Sequence, residues 1–211
     1  MEKTIQEYLS ALKNTKPQRF NFVIPDSIES DLLACYKSAV NSFGDKDVFI
    51  LTEEVKRNIK SLANWFKSGK SGLLLQGSIG TGKSKLAQAI NVLIKFYTKD
   101  VSQLKIFTAK EINDYSCSQE EEEQQIFSRL KSYLYLAIDD FGVGAVTVKN
   151  YGTELSPVVE TLYQRYDNNK TTIITTNLSL EAIEKRYGER IKDRLIEQYD
   201  RIIFDFKSFR K

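Results

Sequence analysis

No histidine occurs anywhere in the 211 residues. That excludes imidazole as a general acid or base and as a metal ligand. Only two cysteines are present, Cys35 and Cys117. They form no C-x-x-C pair and are expected to stay reduced thiols, as in a cytoplasmic protein. No stretch approaches the ~18 continuous apolar residues of a membrane-spanning helix, so no membrane partner is expected. The N-terminus lacks the basic segment and apolar run of a signal peptide. Charge of one sign is also scarce: 31 basic and 28 acidic residues leave a net charge of +3. So mild an excess does not identify a nucleic-acid partner. Repeats and low-complexity segments are absent. Glu120–Glu123 reads as a solvated helix start, where acids suit the helix dipole.

What is present suits one α/β domain with a small appendage. Apolar residues make up 41% of the chain, enough for a core. Ile5, Tyr8, Leu9 and Leu12 form a helical stripe over residues 1–14, and Pro17 ends it. Further helices are predicted from Ser27 to Phe43 and from Thr52 to Gly69. From residue 71 onward strands and helices alternate. Strands are predicted over 71–76, 104–108, 133–138, 171–176 and 201–205. Helices are predicted over 83–97, 119–131, 154–168, 179–187 and 188–198. This order predicts a parallel five-stranded sheet with helices on both faces, preceded by a short helical N-terminal segment. The division drawn is 1–50 for that segment and 51–211 for the main domain. Residues 142–156 read as a long connection, a length that is often functional.

The most informative stretch is Gly77-Ser78-Ile79-Gly80-Thr81-Gly82-Lys83-Ser84, which fits G-x-x-x-x-G-K-[ST]. Leu73-Leu74-Leu75 precedes it as a strand. Leu86, Ala89, Ile90, Leu93 and Ile94 follow at helical spacing. Glycines let the backbone curl until N–H groups point inward at phosphate oxygens. The helix that starts there adds its dipole. Lys83 would reach the β- and γ-phosphates, and Ser84 would offer its hydroxyl to Mg²⁺. Lys85 is grouped with these as a cofactor-binding residue. The plain alternative is a glycine-rich turn before a surface helix.

Three more segments join this loop. Tyr133–Ile138 is an apolar strand ending in Asp139 and Asp140. Asp139 would hold Mg²⁺, and Asp140 could orient or deprotonate a water. The alternative is a polar turn after a strand. Asn177 ends the strand Thr171–Thr176, placed either to orient water near a γ-phosphate or to cap a helix. Arg190 and Arg194 lie four apart on one helix face. They would serve either as surface pairs or to neutralise a phosphoryl group, if need be from a neighbouring subunit.

Taken together, Gly77–Ser84, Leu136-Ala137-Ile138-Asp139-Asp140-Phe141-Gly142, Ile174-Thr175-Thr176-Asn177-Leu178 and Tyr187-Gly188-Glu189-Arg190-Ile191-Lys192-Asp193-Arg194-Leu195 resemble the AAA+ ATPases of the DnaC/DnaI helicase-loader group, with IstB-type transposition helpers as near relatives. The resemblance covers roughly residues 50–211. It implies a P-loop NTPase fold and Mg²⁺-dependent ATP hydrolysis. It also implies a nucleotide-sensing Asn177 and an arginine finger at Arg194, with Arg190 as second choice. Arg210, in a serine-aromatic-arginine tail, is then a second sensor. The implied partners are a replicative helicase, single-stranded DNA and further copies of the chain through Arg194. Lys149, Asn150 and Tyr151 are the candidate DNA contacts, since a lysine beside an aromatic pairs with phosphate while the ring stacks on a base. Two departures are visible: the region before residue 50 is shorter than the helicase-binding part of a typical loader, and there is no zinc-binding cysteine cluster. The alternatives are an IstB-like helper of a transposase, a small-molecule P-loop kinase, and an adaptor that uses nucleotide only for structure. The preference for ATP comes from the resemblance alone.

Overall fold

The computed structural model describes residue 5 and residues 19–41, 49–150 and 153–205. Its centre is a five-stranded sheet of β1 (Gly72–Gly77), β2 (Leu104–Thr108), β3 (Tyr135–Phe141), β6 (Thr171–Thr176) and β7 (Tyr199–Phe204). The order is β2-β3-β6-β1-β7 and every pairing is parallel. A parallel sheet is covered on both faces, so its inner strands read as continuous apolar runs. Successive side chains point to opposite faces. Leu73 and Leu75 of β1 therefore join one core, while Leu74 joins the other.

On the first face lie α1 (Ile28–Asn41), α2 (Glu53–Lys67) and α3 (Lys83–Tyr97), whose buried residues include Leu32, Trp65 and Leu93. On the second lie α4 (Ala109–Cys117), α6 (Pro157–Asp167), α7 (Leu180–Tyr187) and α8 (Glu189–Gln198), which contribute Ile112, Leu162, Ile183 and Leu195. A short α5 (Glu121–Arg129) buries no residue of its own. Among the described residues, no helix is long and apolar enough to cross a membrane.

The five strands and the α/β P-loop fold match the sequence expectation. Two elements differ from it. The first is α4, a helix that the sequence expectation does not contain. A capping box starts it: Thr108 accepts from the Glu111 N–H, and the Glu111 carboxylate accepts from the Thr108 N–H. The second lies in the 142–156 connection, which contains an antiparallel hairpin of β4 (Val148–Asn150) and β5 (Thr153–Leu155). That pairing holds residues 153–155 extended, so the helix expected from 154 begins instead at Pro157. Proline is preorganised for a first helical turn.

Residues 19–41 join the first face: α1 lies against α3 and α2, and the segment before it packs onto α2 and the sheet. Phe20 lies against Trp65, Phe66 and Tyr135. The Arg19 guanidinium donates to the Phe66 carbonyl at 3.1 Å and sits over the Phe20 and Trp65 rings. The Ile5/Tyr8/Leu9/Leu12 stripe is described only at Ile5, which is helical and exposed. Tyr8, Leu9 and Leu12 lie outside the described residues.

Behind β6, fully buried Arg165 ties three segments together. Its Nε donates to Thr172 Oγ1, Nη1 to the carbonyls of Leu130 and Tyr133, and Nη2 to that of Thr171. Burial pulls its pKa down to about 10. The hydrogen bonds to neutral acceptors compensate in part for that burial.

Candidate functional site

At the carboxyl ends of β1, β3 and β6 the strands open onto a cavity of about 300 Å³. Parallel sheets place their ligand crevices at this edge. Ile79, Gly80, Gly82, Lys83, Ser84 and Lys85 line one side, and Val40, Asp140, Val143 and Asn177 the others.

The loop from Gly77 to Ser84 wraps the start of α3. Gly77 leaves β1 against β7, where a Cβ would stand 2.3 Å from the Phe204 carbonyl oxygen. Any side chain there would push the two strands apart. Gly82 forms the N-cap of α3 at φ +89°, a left-handed conformation that suits glycine. Within the loop the Thr81 hydroxyl donates to the Ser78 carbonyl at 2.9 Å. Ser78 and Ile79 are exposed at its tip. The first turn of α3 contains no acid and presents its N-terminal end to the cavity. That end favours an anion.

Lys83 is 6% exposed. Its Nζ donates to the carbonyls of Gly77 at 2.8 Å and Ser78 at 2.7 Å, and to Asn177 Oδ1 at 2.7 Å. The ammonium thus bridges the loop and the end of β6. Beside it, Ser84 Oγ donates to Asp139 Oδ1 at 2.8 Å. These two bonds bring together four residues singled out in three separate sequence segments.

Asp140 adopts φ +54° and is exposed on the cavity wall. The β3–β6 pairing shifts register between Ile138 and Phe141, so Asp140 lies in an irregular step of the ladder. Such irregularities re-aim a side chain. Sequence reasoning missed the residue beneath them, Thr175. Its hydroxyl donates to Asp139 Oδ1 and accepts from the Asp140 N–H, the latter at 3.0 Å. Only the β3–β6 adjacency reveals that role. Gln76 was missed too; its Nε2 donates to the Leu178 carbonyl at 2.7 Å, joining β1 to the turn that carries Asn177.

Arg194 does not line this cavity. It lies on α8 over the rings of Tyr163 and Tyr166, 4.3 Å from each centroid, and 3.3 Å from Asp167. Arg190, one turn earlier, is exposed and stands 5.0 Å from the Tyr163 centroid. Lys149 is exposed on β4, remote in sequence from the loop. Tyr151 and Arg210 lie outside the described residues, and of Asn150 only the backbone pairing is described.

No family model and no curated protein matches the sequence. Solved structures do match the fold. The DnaC helicase loader is 21% identical, with TM-score 0.59 over 80% of this chain and 97% of that one. The fold is that of the AAA+ ATPases. DnaI is 18% identical, with TM-score 0.57 over 80% of this chain and 92% of that one. The replication initiator DnaA, bound to AMPPCP and single-stranded DNA, is 15% identical, with TM-score 0.56 over 75% of this chain and 49% of that one. The chain therefore spans nearly the whole of the DnaC and DnaI structures and about half of the initiator. At these identities the likeness to AAA+ proteins is one of fold.

Proposed function

We propose that this chain is a replication-initiation ATPase of the cytoplasm that binds ATP with Mg²⁺, hydrolyses it and loads a replicative helicase onto single-stranded DNA. The observation that carries the reading is the meeting of Lys83 with Asn177, and of Ser84 with Asp139, around one cavity at the sheet's carboxyl edge.

The residues fit Mg²⁺. Ser84 Oγ and the Asp139 carboxylate are hard oxygen donors 2.8 Å apart. Mg²⁺ takes few protein ligands, keeps several waters and leaves room for phosphate oxygens. When bound, the ion neutralises charge on the β- and γ-phosphates. The loop N–H groups and α3 hold the phosphates. Lys83 exchanges loop carbonyls for phosphate oxygens. Asn177, released from Lys83, orients the attacking water. Asp140 accepts its proton.

Arg194 supplies the remaining positive charge from a neighbouring subunit. In its own chain it rests between Tyr163 and Tyr166, so reaching a neighbour's phosphate requires rotation of the side chain. Arg190 is the second candidate, and Arg210 acts as a sensor on its own subunit's nucleotide. We assign ATPase function to residues 51–211 and partner contact to the N-terminal segment. Because residues 19–41 share the core, helicase contact falls to residues 1–16. Lys149 and Tyr151 contact DNA. The loader and initiator folds support this reading, as does the nucleotide and DNA found on the initiator.

Pull-down from the native cell in ATP and in ADP tests the role. Nucleotide-dependent recovery of a hexameric helicase is expected, and it is lost on deleting residues 1–16. Recovery of a transposase would instead make the chain an IstB-like helper.

A further inference from the structure

We propose that Thr175 is a positioning residue: its one hydroxyl sets both carboxylates of the site. The proposal rests on the ATPase reading above for its catalytic consequence but on geometry alone for its structural part. Thr175 is fully buried in β6. A hydroxyl has one hydrogen to donate and two lone pairs to accept. Here the hydrogen goes to Asp139 Oδ1 and a lone pair takes the Asp140 N–H.

Each contact answers a specific need. Asp140 sits at φ +54°, a region that a non-glycine residue enters only when its surroundings hold it there. The register shift between Ile138 and Phe141 marks a break in the regular β3–β6 pairing. The Thr175 hydroxyl meets the Asp140 N–H at that break. It thereby fixes the left-handed turn that puts Asp140 on the cavity wall.

The second contact aims Asp139. Two hydroxyls, those of Ser84 and Thr175, converge on the same oxygen, Oδ1. With one oxygen pinned from two directions, the carboxylate plane is set before any ligand arrives. If Ser84 turns to a metal ion, Thr175 still holds Asp139 in place. Thr176, the next residue, donates to the Phe141 carbonyl at 2.6 Å and secures the far side of the same irregular step. Neighbouring threonines of β6 thus clamp β3 on both sides of Asp140.

The test uses the full chain with Thr175→Val, Thr175→Ala and Thr175→Ser. Val and Ala remove the hydroxyl with and without comparable bulk; Ser keeps it. In the ligand-free protein, exchange of the Asp140 amide hydrogen should be roughly tenfold or more faster in Val and Ala and near the parent rate in Ser. With ATP, kcat should fall roughly tenfold or more and half-saturating Mg²⁺ should rise in Val and Ala, with Ser staying close to the parent. Affinity for ADP in EDTA should be unchanged in all three. Parent-like exchange at Asp140 in folded Val or Ala would overturn the proposal, as would a Ser variant as impaired as Val. A Ser variant that fails to fold while Val folds would overturn it too, leaving Thr175 a packing residue. If Val and Ala fail to fold and Ser folds, the hydroxyl rather than the bulk holds this step, as proposed. If the parent itself does not hydrolyse ATP, the ATPase reading fails, and amide exchange still decides whether Thr175 holds the turn.

Discussion

Lys83 Nζ lies 2.7 Å from Asn177 Oδ1, a bond that closes the loop after β1 onto the end of β6. A phosphate arriving at Lys83 must compete with this acceptor and with the Gly77 and Ser78 carbonyls. On the proposed function, phosphate binding releases Asn177 from Lys83. Asn177→Ala removes a competitor for the ammonium. It should bind ADP a few-fold more tightly, about the worth of one charge-assisted hydrogen bond less its replacement. It should also hydrolyse ATP poorly. Titration with a fluorescent ADP checks the first point; tenfold weaker binding would contradict it.

Arg194 contributes to stability irrespective of any role in catalysis. Its side chain is 16% exposed and lies against two tyrosine faces, while its ion-pair partner Asp167 is largely in solvent. The exposed carboxylate adds little. Loss of the ring contacts in Arg194→Ala should cost about 1–2 kcal/mol. Arg190→Ala should change stability by less than about 0.5 kcal/mol, as at other exposed positions. Urea unfolding of the two variants separates them; equal stability would show that the tyrosine contacts hold nothing.

A shared hydrolytic site has a different signature. Specific ATPase activity should rise with protein concentration. Arg194→Ala should bind ATP yet lose ~10³-fold in turnover, the scale of a lost arginine finger. A mixture of Lys83→Ala and Arg194→Ala should regain activity, because one class of interface then has an intact loop facing an intact arginine. Phosphate release from co-assembled mixtures checks this, and no recovery would place the site within one chain.

Alkaline pH should unfold the protein partly through Tyr199. Burial beneath the second core pushes its pKa up to about 12, against a weaker downward pull from Thr172. In the unfolded chain it returns to about 10. Between these values the folded state holds the proton that the unfolded state has lost. The stabilisation is thus full below pH ~10 and disappears as pH rises toward 12, by about 2–3 kcal/mol at most. Melting midpoints across that range should fall less steeply for Tyr199→Phe; an identical slope would remove Tyr199 from the explanation.

Much of the sheet was legible because its signals are local. Leu73-Leu74-Leu75 and the loop after it carry their own pattern, and Ile173-Ile174 reads as a buried strand without neighbours. The start of α4 is equally local, in the spacing of Thr108 and Glu111, but those two residues sit at and just past the end of a strand and carry no apolar period of their own. The hairpin of β4 and β5 has few apolar residues to mark it, and its pairing across Asn150 and Thr153 is seen only in space. The site divides in the same way. Lys83, Ser84, Asp139 and Asn177 end strands or begin a helix, so sequence places them at the sheet edge. Thr175 looks like an ordinary strand residue, since its role depends on which strand lies beside β6. The tyrosine clamp on Arg194 likewise depends on how α8 crosses α6.

The most direct test is calorimetric titration of ATP with Mg²⁺ into the parent, Lys83→Ala and Asp139→Asn proteins, followed by phosphate release from each. The parent should bind and hydrolyse. Lys83→Ala should lose binding, because a point charge facing the phosphates is gone. Asp139→Asn should keep nucleotide but lose Mg²⁺-dependent turnover. Normal ATP affinity in Lys83→Ala, or undiminished hydrolysis in Asp139→Asn, would contradict the assignment of this cavity as the nucleotide site.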